Sequence, residues 1–132
     1  MNYTQNEKIE QVTDSTMVVG VDIGSQIHYA RAFDNRGREL TKRIFSFHND
    51  LEGFNSFNLW AETLKTENKK TAVLIGCEPT GHYWFAFAKY VNDHQKRLVM
   101  VNPFSVKKIK ELDSEEWNLI GDFIDHINKD VE

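Results

Sequence analysis

Met17-Val18-Val19-Gly20-Val21-Asp22-Ile23 is an apolar run broken by a single acid, and Gly24-Ser25 ends it. A strand that is apolar in both parities is covered on both faces, so this one belongs at the centre of a sheet. Working outward, Ile27–Phe33 and Glu39–Phe47 are rich in β-forming residues and flank Asp34-Asn35-Arg36-Gly37, a strong hairpin loop. Asn49 or Asp50 can cap a helix running to about Thr66, with Leu51, Phe54, Phe57, Ala61 and Leu64 at helical spacing. Asn68-Lys69-Lys70 then turns the chain into a second buried strand, Thr71–Cys77. After Glu78-Pro79-Thr80-Gly81 the spacing predicts an aromatic-rich helix over His82–Asp93 and a fifth strand over Arg97–Val101. Asn102-Pro103 closes that strand, and Phe104–Leu112 reads as helical. The expected fold class is therefore α/β: an antiparallel three-strand meander followed by alternating helices and parallel strands in one mixed sheet.

The 132 residues suffice for one domain, and 40% apolar with 12% aromatic content excludes a disordered chain. The single cysteine, Cys77, excludes a disulfide framework and a thiolate metal cluster, and fits a reducing, cytoplasmic setting. No apolar stretch is long enough to span a bilayer, so no membrane partner is expected. Residues 1–16 are polar without an apolar core, which excludes a secretory signal and reads as a flexible leader. The net charge of −4 hides an asymmetry. Residues 113–132 hold seven acids and one lysine, a balance of −6, and the preceding 112 residues carry 15 bases against 13 acids, or +2. The sequence thus divides into the leader, a mildly basic body over 17–112, and an acidic amphipathic helical tail over 113–132.

Two acids end buried strands. Asp22 lies one residue from the end of the first, where a carboxylate is costly without a cation or donors to compensate it. Glu78 follows Cys77 at the end of the second, and Pro79 keeps it out of helical geometry. If the two strands are neighbours, the pair repels unless a hard divalent cation lies between, which points to Mg²⁺ or Mn²⁺. The plainer reading of Asp22 is a cap for the turn at Gly24-Ser25. Thr80-Gly81 precedes the aromatic helix, where free backbone N–H groups attract phosphate. The alternative there is capping by Thr80, with Tyr83, Trp84, Phe85 and Phe87 as core. Lys107, Lys108 and Lys110, with Lys96 and Arg97 nearby, form a basic cluster suited to phosphate contacts, or simply a solvated helix face. Cys77 has no evident base and reads as a small buried apolar residue. His28 and His82 lack the partner spacing of a zinc site.

The runs Val19-Gly20-Val21-Asp22-Ile23-Gly24-Ser25, Tyr29–Phe33, Arg36–Leu40, Glu78-Pro79-Thr80-Gly81-His82-Tyr83-Trp84-Phe85 and Val99–Lys107 resemble DEDD-type, RuvC-like insertion-sequence transposases of the one-ten family. The resemblance spans about residue 17 to Asp113. It implies a ribonuclease H-like domain that binds two divalent metals through four acids and acts on DNA, with a guide RNA a possible further partner of the intact family. Asp22 would be the first acid and Glu78 the second. The family then carries an Asp-x-x-Asp pair on a helix and a serine nucleophile in a separate C-terminal domain.

After Lys110-Glu111-Leu112-Asp113 this sequence departs from the family pattern. The departure and the charge switch lead us to expect a truncated or frameshifted remnant, with little or no catalysis by this chain alone. Asp122 and Asp125 have the Asp-x-x-Asp spacing, and the question is whether they replace the missing pair. Against that role, Trp117, Ile120, Ile124, Ile127 and Val131 form the apolar stripe of a helix, and both aspartates flank or oppose it at 100° per residue. That stripe is also a candidate surface for a homo-oligomer, or for a mixed oligomer with an intact transposase. Two other classes stay open. Asp22-Ile23-Gly24-Ser25 before a hairpin also resembles the phosphate loop of actin- and sugar-kinase-type ATPases, although no second phosphate loop or adenosine motif follows. The other is a non-catalytic nucleic-acid-binding module.

Overall fold

The computed structural model describes residues 13–77 and 81–100. Five strands and two helices follow in the order β1 (Thr16–Asp22), β2 (Ile27–Phe33), β3 (Phe45–His48), α1 (Leu51–Glu67), β4 (Ala72–Cys77), α2 (Phe85–Asp93) and β5 (Arg97–Met100). They form one mixed sheet of strand order β3-β2-β1-β4-β5. The two hairpin-side pairings, β1 with β2 and β2 with β3, are antiparallel, and β1–β4 and β4–β5 are parallel. This is the expected topology, with β1 at the centre, and it is compatible with a ribonuclease H-like fold.

The central position follows from the strand's composition. Met17, Val19 and Val21 face the helices together with Ala30, Ala32, Val73, Ile75 and Cys77, while Val18, Phe33, Leu74 and Val99 are buried in the other parity. Both helices contribute to the same cluster, α1 through Phe54, Phe57 and Ala61, α2 through Phe87, Tyr90 and Val91. Phe87 is the hinge of this packing. Its ring lies 5.1 Å from Phe57, 5.4 Å from Phe47 and 5.7 Å from Phe54. Such offset and edge contacts add to area burial.

Turn chemistry fixes the connections. Asp34 Oδ1 accepts from the Arg36 and Arg38 amides at 2.9 Å each, closing the expected hairpin loop. Asp50 is the N-cap of α1, its carboxylate accepting from the Gly53 amide at 2.8 Å.

Three boundaries differ from expectation. The predicted strand Glu39–Phe47 is reduced to an isolated bridge from Glu39 to Phe33, and pairing resumes only at Phe45. The Arg31–Glu39 ion pair at 3.0 Å and the Leu40 amide bonded to the Ala32 carbonyl hold that bridge. Thr16 already belongs to β1, and the Thr13 amide donates to its hydroxyl at 3.1 Å, so the leader ends earlier than residue 16. The aromatic helix begins at Phe85 instead of His82. Leu51, assigned to the apolar stripe of α1, is the first residue of that helix and is 66% exposed. The helix expected over Phe104–Leu112 and the acidic tail lie outside the described residues.

Candidate functional site

Ligands of open α/β sheets bind outside the carboxyl ends of the strands. The β1–β4 register runs in step from Thr16↔Ala72 to Val21↔Cys77, so both strands end at the same edge. Asp22 is the last residue of β1, partly exposed, and lies opposite Tyr29 across the hairpin. Its parity is that of Val18 and Gly20, on the face turned away from α1 and α2. Glu78 and Thr80 lie outside the described residues, as do Lys107, Lys108, Lys110, Asp122 and Asp125. Among the described residues no group of three or more His, Cys, Asp or Glu side chains gathers as a metal cluster.

Gly81 is described, and it adopts φ +58 in the turn before α2, with open space where a Cβ would stand. The Trp84 indole donates to its carbonyl at 3.0 Å. Because α2 starts four residues later, Gly81 is not at the helix N-terminus expected for it. Of the aromatics assigned to the core, Phe87 is buried, but Tyr83 and Phe85 are 44% and 55% exposed at the carboxyl edge of the sheet.

Lys96 and Arg97 do not extend a basic patch at this edge. They lie at the start of β5, where Arg97 pairs with Leu74, three rungs back from Cys77. Lys96 donates to Glu62 at 2.6 Å, and this bond, with Lys65 at 3.0 Å, holds the Glu62 carboxyl below its ordinary range. A cleft of about 430 Å³ opens at that end, lined by Glu62, Lys65, Thr71 and Lys96. It sits at the amino ends of the parallel strands, away from Asp22.

One arrangement was not legible in the sequence. His28 is fully buried among Phe47, Phe54 and Phe87, with ring centroids 5.2–6.4 Å away. Its Nδ1 accepts from the Gly24 amide at 3.0 Å, so the ring is the Nε2–H tautomer. Burial pushes its pKa down, opposed by the Asn49 side chain and the Asp22 charge. Among the described residues neither His28 Nε2 nor Asn49 Oδ1 has a hydrogen-bond partner. The Asn49 amide donates to the Gln26 carbonyl at 2.8 Å, and its side-chain nitrogen to the Ser25 carbonyl at 3.3 Å. Gly24 is obligatory for another reason: a Cβ there would meet the Ile27 carbonyl oxygen at 2.2 Å. Pattern reading weighs histidines by spacing to other ligands, and His28 has no such spacing.

Cys77 is buried, as expected, with Sγ 3.9 Å from Met100 Sδ. No described helix is long and apolar enough to cross a membrane.

Comparison with curated proteins finds no match. Residues 19–116, nearly three quarters of the chain, match the family model of the IS110-type DEDD transposases, described simply as a transposase. That span opens on β1 and contains the hairpin, both helices, the remaining strands and the run after Cys77. The chain belongs to the IS110-type DEDD transposase family.

Proposed function

We propose that this chain is a metal-dependent DNA strand-processing domain of an insertion-sequence transposase, with Asp22 and Glu78 as the first two acids of its cation site. The observation that carries the reading is the last described rung, Val21↔Cys77. Were the same register to run one step further, positions 22 and 78 would pair, and side chains at paired positions of adjacent strands share a face. Two carboxylates are hard oxygen donors, which fit Mg²⁺ or Mn²⁺ and not a soft metal. A divalent ion held there would act as a Lewis acid toward a scissile phosphate and lower the pKa of bound water.

The chain's own groups supply the remainder of the reading. Thr80 and Gly81, which follow β4 in the chain, are candidates for the DNA backbone, and Lys107, Lys108 and Lys110 are candidates for phosphate contacts. Asp122 and Asp125 are the candidates for the third and fourth acids. The charge reversal after Asp113 supports reading 113–132 as divergent from the family pattern, and the chain as an incomplete or inactive remnant. Guide RNA, a second copy of this chain or an intact transposase are partners consistent with that pattern.

Titration calorimetry with Mn²⁺ on the full chain tests the site. Binding is expected for the wild type and should fall at least about tenfold in Asp22→Asn and in Glu78→Gln, as for lost metal ligands. Equal binding by Asp22→Asn overturns the assignment. Two acids alone hold such an ion weakly, so DNA cleavage is expected to be weak or nil. Vigorous Mg²⁺-dependent cleavage, lost in Asp122→Asn or Asp125→Asn, would show that the tail completes the set.

A further inference from the structure

A histidine in a phenylalanine core needs a reason. Leucine or phenylalanine would fill the same space without burying two polar nitrogens. What His28 adds is an acceptor, and that acceptor takes the Gly24 amide. Asn49 takes the next two polar groups of the same turn, the carbonyls of Ser25 and Gln26. Three successive residues of the β1–β2 turn are therefore held by two side chains and one backbone amide, all from outside it. The turn begins two residues after Asp22. His28 lies on the helix side of the sheet and Asp22 on the opposite face, so their connection runs through this stretch of backbone.

We propose that His28 and Asn49 act as a clamp on the β1–β2 turn and that His28 is a positioning residue for the Asp22 carboxylate. The inference rests on the reading of Asp22 as a cation ligand. The clamp needs the neutral ring, because a protonated Nδ1 would point a donor at the Gly24 N–H. Groups that orient a ligand from outside the coordination sphere change metal affinity by about 10–100-fold when removed.

The test combines Mn²⁺ titration calorimetry with amide hydrogen exchange at Gly24, on the full chain. His28→Leu keeps the packing and removes the acceptor. His28→Asn places an oxygen near the position of Nδ1 but leaves a cavity. Expected are an affinity loss of about tenfold and faster Gly24 exchange in His28→Leu, with both recovered to within about threefold in His28→Asn. A role in packing alone reverses that order, because leucine fills the core better than asparagine. That reversal, or wild-type affinity in His28→Leu, overturns the proposal. Asn49→Ser is the second variant, at a partly exposed position. It should also speed Gly24 exchange, and wild-type exchange there counts against the clamp. Failure of the wild type to bind Mn²⁺ instead sinks the reading of Asp22, and Gly24 exchange across the variants then decides the clamp by itself.

Discussion

Replacing Gly24 with alanine probes the junction between the central strand and its hairpin. The new Cβ would stand 2.2 Å from the Ile27 carbonyl oxygen, where ordinary contact begins at 3.4 Å. The turn must open by about 1 Å, and the partner is backbone, so it cannot swing aside as a side chain would. An opening of that size carries the Gly24 amide from 3.0 Å to about 4 Å from His28 Nδ1, beyond hydrogen-bond range. Leaving that buried acceptor unpartnered costs about 1–3 kcal/mol. Overpacking adds a further amount of about 1–3 kcal/mol. A total near 3 kcal/mol lowers the melting temperature by roughly 10 °C for a domain of this size. Thermal unfolding followed by circular dichroism reads this directly. Gly81 is the control, since its φ of +58 lies in open space. Gly81→Ala should cost about 1 kcal/mol from backbone strain alone, and Gly81→Asn less, because asparagine tolerates that conformation. Gly24→Asn should be as damaging as Gly24→Ala. A Gly24→Ala loss under about 0.5 kcal/mol would refute the steric reasoning.

Phe57→Ala removes a ring 1% exposed that touches Phe47, Trp60 and Phe87, and should cost about 3–5 kcal/mol in urea unfolding. Because burial holds the His28 pKa below 6.5, the unfolded chain binds more protons in the window from that lowered value up to 6.5. Stability should therefore be full above pH 6.5 and decline as the pH falls below it, and this part of the slope should vanish in His28→Asn. Glu62→Gln breaks charge pairs with Lys96 and Lys65, but the carboxylate is 40% exposed and solvent screens it. The expected loss at neutral pH is about 0.5–1 kcal/mol, shrinking as the pH drops through the acid range, where Glu62 itself protonates.

The mixed sheet and the central place of the first strand were legible because burial in both parities, hairpin chemistry and the alternation of periods point the same way. The Asp50 cap was legible for the same reason: a short-range rule decides it. What escaped were features set by tertiary neighbours. Glu39–Ile44 has strand-forming residues, yet only Glu39 among them bridges to the neighbouring strand, and β3 begins at Phe45. Tyr83 and Phe85 have core-like side chains, but the chain turns at Gly81 and starts the helix late, leaving both at the surface. Lys96 and Arg97 follow a pattern of basic residues in the sequence, but they stand at the start of β5, at the end of the sheet away from Asp22. Of the candidate site, the position of Asp22 at a strand end was readable from composition. The holding of its turn by His28 was not, because a single buried histidine carries no pattern.

The lone thiol of the chain ends β4 beside Val21, sealed from solvent one step before the acid. Alkylating reagents can reach it only when this edge of the molecule breathes apart. The rate at which a maleimide labels Cys77 in native buffer is therefore a stopwatch for local opening, with no engineered probe required. Any ion or nucleic acid that draws the strand ends together should slow that clock.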